Sequence, residues 1–254
     1  MEVHHHPNVE KKNFKEYLLE FLMIFLAVTM GFFAETIREG FTEHHRAKEY
    51  AVAMLNDLKA DTGQLNSYIS YMSYASNNVD TLIQLLSVSN PTDSPSGKLY
   101  WYGLWGGAHR YFVSNDATFE QMKSSGSLRY FTNEDLVQEV AEYDRLCRDM
   151  QTNEEMEHDL YTEVRKSRSH IFEFQYNAIA NDIYQANKIL FNQARIDSFM
   201  KSNPPLLSYD KTLFNEYIEL VRSRYLNLNV ANASDLLKAA SSLIDNLKKE
   251  YDLE

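Results

Sequence analysis

The stretch Tyr17 to Ala34, YLLEFLMIFLAVTMGFFA, carries a single charge, Glu20, and constrains the chain more than any other. About 18 residues rise roughly 27 Å as an α-helix, close to the ~30 Å hydrocarbon core of a bilayer, so the stretch can span one. A secretory signal peptide would close on small residues of the A-x-A kind, whereas Gly31-Phe32-Phe33-Ala34-Glu35 sets two phenylalanines there. A buried core helix favours a shorter run, and Phe21 to Ala34 counted alone would fit that description. The spanning reading is preferred, with Glu20 about one turn inside the boundary, where it reaches the headgroups or pairs with Lys12, Lys15 or a partner helix. The expected organisation is a short tail over 1–16, a transmembrane helix over 17–37 and a helical domain over 38–254. Ala27, Gly31 and Ala34 fall near one helix face at spacings of four and three. That face, with Glu20 inside the span and Glu35 at its exit, is therefore expected to serve assembly as well as anchoring.

Composition narrows what the remainder can do. A mean hydropathy of -0.46 excludes a multi-pass protein, while 44% hydrophobic residues suffice for a substantial core. The net charge of -11 and pI near 5.2, with no basic stripe, argue against nucleic acid as a partner. Cys147 is the only cysteine, so there is no intrachain disulfide and no cysteine-rich zinc site. His4, His5 and His6 lack the spacing of a closed metal site, and no metal or other cofactor is expected. Lys11, Lys12 and Lys15 before the span are balanced by Arg38, Arg46 and Lys48 after it, so charge alone does not orient the chain.

The N-terminal segment HHHPNVEKKNFKEYLLEFLMIFLAVTMGFFAETIRE resembles the start of a group of single-pass proteins from Bacteroidota. In that group a His/Pro tail and K-E-Y precede E-F-L-M-x-F-L-A-V and G-F-x-A-E. Thr118 to Tyr130, TFEQMKSSGSLRY, is similar to the L-K-S-S-G-x-L-R signature of the same family. Together these stretches cover about a fifth of the chain. The resemblance implies an uncleaved anchor in the bacterial inner membrane, a cytoplasmic tail and a periplasmic helical domain, and it brings no catalytic residues to carry over. Gly40 departs from the polar residue expected there and draws attention to the stiffness of the exit helix.

From Ala51 onward Met54, Leu58, Leu65, Tyr68, Met72, Ala75, Val79, Leu82 and Leu86 keep alternating three- and four-residue steps. This predicts a long, coiled-coil-like helix in an all-α domain. Asp61 occupies the one missing seam position, where a carboxylate costs stability unless solvated or paired. Asn90 to Gly97 ends the helix with two prolines and a glycine. The aromatic run that follows, Leu99 to Val113, holds Trp101, Tyr102, Trp105 and Tyr111, and it suits a plug at a bundle end, a partner surface or a ligand pocket.

Asn115 or Asp116 is positioned to cap a short helix through Ser125, with Gly126 as a left-handed C-cap, Leu128 packing back on the last turn and Arg129 near the freed carbonyls. Thr132 and Asp135 form a candidate capping box for a helix through Leu136, Val140, Tyr143, Cys147 and Met150. A stripe of Met156, Leu160, Val164, Ile171, Phe174 and Ile179 follows, broken at Asn203-Pro204-Pro205. Tyr217, Leu220 and Arg224, then Leu236, Ala240, Leu243 and Leu247, mark a last long helix ending near Tyr251. Short connections imply an extended antiparallel bundle.

No phosphate loop, dinucleotide fingerprint, HExxH or nucleophile elbow is present, and the lone Glu155-x-x-His158 reads as a solvated face. His44 and His45 beside Glu43 read as a polar collar at the membrane exit. The sequence thus points to a non-enzymatic accessory or structural subunit, with the bilayer, other inner-membrane proteins or a second copy of itself as partners. The alternative is a ligand-sensing bundle, which would have to signal through a partner because the tail is too short for an output domain.

Overall fold

A computed structural model describes residues 13–88, 93–190, 192–226 and 230–253. The His4–His6 run and the Asn90–Thr92 part of the loop lie outside them. Every regular element among the described residues is helical. The first, α1, runs from Phe14 to Val88, 75 residues without a break, and at 1.5 Å per residue is roughly 110 Å long. The expected boundary between span and domain is therefore not a break in the backbone. Gly31, Gly40 and Gly63 all lie inside the helix, and a Cβ placed on any of them would meet nothing within 4 Å. Glycine lowers helix propensity without preventing helix, and no proline interrupts this run.

Along α1 the surroundings change once. From Phe14 to Phe41 the large apolar side chains stand exposed, whereas from Ala47 the seam is buried: Ala51, Met54, Leu58, Leu65, Tyr68, Met72, Ala75, Val79 and Leu82 all lie in the core. Leu86, the last expected member, is half-buried.

The remaining helices are α2 (Ser96–Gly103), α3 (Ala117–Ser125), α4 (Glu134–Ser169), α5 (Phe174–Leu190), α6 (Gln193–Lys201), α7 (Lys211–Leu226) and α8 (Val230–Tyr251). Helices α7 and α8 cover the last long helix expected from sequence, on either side of 227–229, which lie outside the described residues. One core cluster joins the first half of the α1 seam to Leu136–Met150 of α4 and Ala233–Tyr251 of α8. A second joins Ala75, Val79 and Leu82 to Val164 of α4 and Phe172 just after it, to Phe214, Tyr217 and Val221 of α7, and to Leu99, Tyr100 and Trp105.

Contacts give the directions. Asn133 Nδ2 donates to Glu250 Oε2 at 2.9 Å and Asn246 Nδ2 to Glu139 at 2.8 Å, while Arg224 bonds Glu157, so α4 is antiparallel to α8 and α7. His44 lies beside Tyr251, and α8 therefore returns toward the apolar part of α1. Tyr143 meets Asp61 low on α1, and Val164 meets the Val79 region higher up, so α1 and α4 run parallel. The antiparallel packing expected of the bundle thus does not extend to this pair. The segment 93–133 makes the return journey, so α4 can start again from the end at which the α1 seam begins.

Several local expectations also change. Asn133, not Thr132, caps α4, accepting from the amides of Asp135 and Leu136 at 3.1 and 3.3 Å. Met156 is exposed because the buried seam of α4 passes through Glu157 instead, and Phe174 and Ile179 of α5 are exposed while Ala180 and Ile183 are the described residues of that helix in the core. Asp116 precedes α3 but makes no side-chain cap; Asp57 of α1 accepts from Thr118 N at 3.3 Å in its place.

Gly126 takes φ 69° and ψ 17°, the left-handed conformation, and ends α3. Leu128 packs on the first core cluster from the short 3₁₀ turn Ser127–Tyr130. Gly126→Ala should lower domain stability by about 1 kcal/mol, since left-handed geometry crowds a β-carbon that otherwise meets open space here. A thermal melt of the detergent-solubilised chain checks this, and an unshifted midpoint would contradict it.

Candidate functional site

The segment Gly103 to Ser114 has few backbone partners of its own, so its carbonyls must be satisfied from elsewhere. Helix α7 supplies them. Tyr217 Oη donates to Gly103 O at 2.9 Å, Tyr225 Oη to Trp105 O at 2.8 Å, Arg224 Nη1 to Gly106 O at 2.7 Å, and Arg224 Nη2 to Ala108 O. The approach is so close that a Cβ on Gly106 would come within 2.5 Å of the Tyr217 hydroxyl, which only glycine avoids.

Arg224 is fully buried, 0% exposed, and its charge is met by Glu157 of α4, which accepts from Arg224 Nε. Glu157 Oε2 lies 2.9 Å from His109 Nδ1, and the imidazole stands edge-on to the Tyr111 ring and tilted to that of Tyr161. One turn earlier Glu154 Oε1 accepts from Phe112 N at 2.9 Å. Burial pushes the Glu157 carboxyl up, but His109 and Arg224 more than reverse this and hold it below the ordinary carboxylate range. Glu154 has weaker compensation, and burial raises it.

Lower on the same segment, Asp61 performs a similar task. It accepts from Asn115 N at 2.8 Å, Asn115 Nδ2 at 2.6 Å and Tyr143 Oη at 2.7 Å, so the seam carboxylate is buried with its partners in place. Beside it Met54, Asp57, Phe119, Val140, Tyr143 and Cys147 border a space of about 30 Å³, room for about one water rather than a substrate. Burial pushes the Cys147 thiol up to about 12, which keeps it protonated and unreactive at neutral pH. Among the described residues no group of three or more His, Cys, Asp or Glu is placed to hold a metal. Glu155 and His158 both face solvent.

The residues singled out by sequence separate. Trp101 and Trp105 are buried at 4% and 2%, so neither forms a partner surface; their rings fill the upper core, Trp105 edge-on to Tyr74 and Tyr184. Tyr102 is half-buried, and of the four only Tyr111 is exposed. Arg129 does not reach the freed carbonyls of α3: its guanidinium lies 5.2 Å from the Tyr130 ring centroid. Ala27, Gly31, Ala34 and Glu35 lie on the exposed part of α1, with Glu35 accepting from Arg38 Nε at 3.0 Å, and Glu20 is half-exposed. No protein-family model, curated protein or solved structure matches the chain.

Sequence reasoning overlooked Glu157, His109 and Asp57. The signal for Glu157 was present: it lies seven residues from both Met150 and Val164, as Arg224 lies seven from Tyr217, so both charges occupy seam positions.

Arg224→Leu should destabilise the domain by about 3–5 kcal/mol, because it leaves the Glu157 charge and two carbonyls buried without their donor. Glu157 contributes stability above the unfolded carboxylate range, near pH 4.3, and that contribution is lost as pH falls through its lower folded value. Glu154, whose carboxyl is raised, acts in the opposite sense and offsets part of the slope. Thermal melts from pH 7 to 3 should show acid destabilisation that is weaker in Glu157→Gln; an equal slope would contradict the assignment.

Proposed function

We propose that this protein is a non-enzymatic, single-pass accessory or structural subunit of an inner-membrane assembly, with its tail cytoplasmic and its helical domain periplasmic. One observation carries the reading. The apolar first part of α1 has a mean hydropathy of 2.0 over its best window and none of that window is buried, although the same helix forms the domain core further on. An uncovered apolar rod of this length belongs in lipid or against other apolar helices. The resemblance of the anchor and of the Gly126 corner to a family of single-pass Bacteroidota proteins is what supports the proposed compartment and orientation.

The unbroken course of α1 favours sensing as a second reading, since a displacement at the far end of the domain would pass to the span through one helix. Gly40→Pro separates the two, because it breaks or kinks the helix between bilayer and domain. A structural subunit should still recover its partners, whereas a sensor should lose its output with the domain still folded.

Topology is tested by cysteine labelling. A cysteine at Ser94 should react with a membrane-impermeant reagent when only the outer membrane is opened, and one at Val3 should not. The reverse pattern would overturn the periplasmic assignment. Assembly through the span is tested by Gly31→Leu and Glu20→Leu, which should leave the chain membrane-bound and the domain folded yet lower the yield of co-purified partners or oligomers. Undiminished recovery with both substitutions would make the span a tether alone.

A further inference from the structure

Beside Trp105 the surface of the upper domain is made of tyrosines. Tyr74 of α1 and Tyr184 of α5 stand edge-on to the indole at ring separations of 4.9 and 4.8 Å, and Tyr71 of α1 lies 6.3 Å from it. Trp105 is buried beneath them, whereas Tyr74 is 52% exposed and Tyr71 and Tyr184 are half-buried. Two cations lie on this outer layer of rings. Lys188 Nζ stands 4.5 Å from the Tyr184 ring centroid, and the Arg110 guanidinium carbon 5.6 Å from that of Tyr71. Both side chains are exposed, and among the described residues neither is paired with a carboxylate.

The sequence accounts for the missing acids. Three and four residues on either side of Tyr71, Tyr74 and Tyr184, the two helices carry only Ser, Ala, Asn, Tyr and Lys188. These are the positions that share a helix face, so no carboxylate stands beside the rings. Asp182 is two residues from Tyr184 and points away from it. Burial, and then the neighbouring tyrosines, raise the Tyr71 and Tyr184 phenols, so neither supplies a phenolate to the cations. In a chain of net charge -11 this face therefore presents aromatic rings and uncompensated positive charge.

Position and exposure narrow the occupant. Tyr71 follows Phe41 by roughly 45 Å of helix rise, out of reach of a headgroup layer at the apolar end of α1. Tyr74, Arg110 and Lys188 are all exposed, and an open surface of this kind suits an extended segment, whereas small molecules are held in clefts. We propose that Tyr71, Tyr74 and Tyr184, with Arg110 and Lys188, form a docking surface for an acidic segment of a partner protein that also carries aromatic side chains. Its carboxylates accept from Arg110 and Lys188, and its rings pack on the exposed Tyr74. Trp105 holds the tyrosines from below and is not itself touched. The choice of a protein segment rests on the subunit reading, whereas the charge of the occupant does not.

The test uses the full chain in mild detergent with a dye-labelled peptide of repeated Gly-Glu-Phe-Glu, and its Gly-Gln-Phe-Gln counterpart as control. Fluorescence anisotropy should show saturable binding of the glutamate peptide, with the glutamine peptide about tenfold weaker or more. Arg110→Gln/Lys188→Gln should melt as the wild type does, since each side chain meets only a tyrosine ring. Its affinity for the glutamate peptide should fall about tenfold, the worth of two exposed ion contacts. Lys123→Gln/Lys238→Gln removes as much charge from exposed positions elsewhere and should bind as the wild type does. Equal binding of the two peptides, or equal losses in the two double variants, overturns the inference. Competition by polygalacturonate as strong as that of unlabelled glutamate peptide would assign the face to polyanions in general and overturn it likewise. A wild-type chain that co-purifies partners but does not bind the glutamate peptide overturns the inference and leaves the subunit reading. A chain that binds the peptide at this face yet recovers no partner overturns the subunit reading alone.

Discussion

Helix α1 meets two environments without changing its backbone, and the rest of the structure follows from that. An α-helix satisfies its own amides and carbonyls, so it can leave lipid and enter a protein core with no unpaired backbone between. Only the side chains need to change. From Tyr17 to Ala34 they are apolar all round except for Glu20 and largely exposed, and from Ala47 they form one seam with polar residues on the opposite face. The other helices are long or short according to which part of that seam they cover: α8 with the first half of α4 over the lower part, α7 with the end of α4 over the upper.

Charges within the seam do not contradict this arrangement, because each meets a partner that closes a gap in the backbone. Asp61 receives the amide of Asn115 and the hydroxyl of Tyr143; Arg224 receives two carbonyls from the glycine-rich turn and the carboxylate of Glu157. Such pairs contribute little net stability relative to well-packed apolar residues, but removing one member is costly. Their effect here is to fix the course of the segment 103–116, which has only the short 3₁₀ turn Trp105–Gly107 of its own to hold it. The buried network therefore reads as a clamp on that segment.

The end of the domain next to the apolar rod is built differently. Arg46, Arg129 and Tyr130 meet at the surface, and Tyr251 packs with Phe131 and His44 beside them. Interactions between exposed charges are weak in water, so this cluster contributes little to the stability of the domain. The corner at Gly126 thus links a backbone requirement to the surface at the end of the domain next to the apolar part of α1.

The sequence by itself determined the helical class, the long exposed apolar stretch, the α1 seam with Asp61 in it, and the left-handed turn at Gly126. Each of these rests on local chemistry: side-chain period, apolar run length, or the conformational freedom of one residue. Only the tertiary structure decided that the tryptophans are buried, that α1 and α4 run parallel, that α1 continues unbroken through Gly40, and that Glu157 rather than Met156 lies in the core. A seam charge cannot be assigned to the interior until its partner is known. The partners of Glu157 lie 48 and 67 positions away at His109 and Arg224, separations that no local pattern encodes.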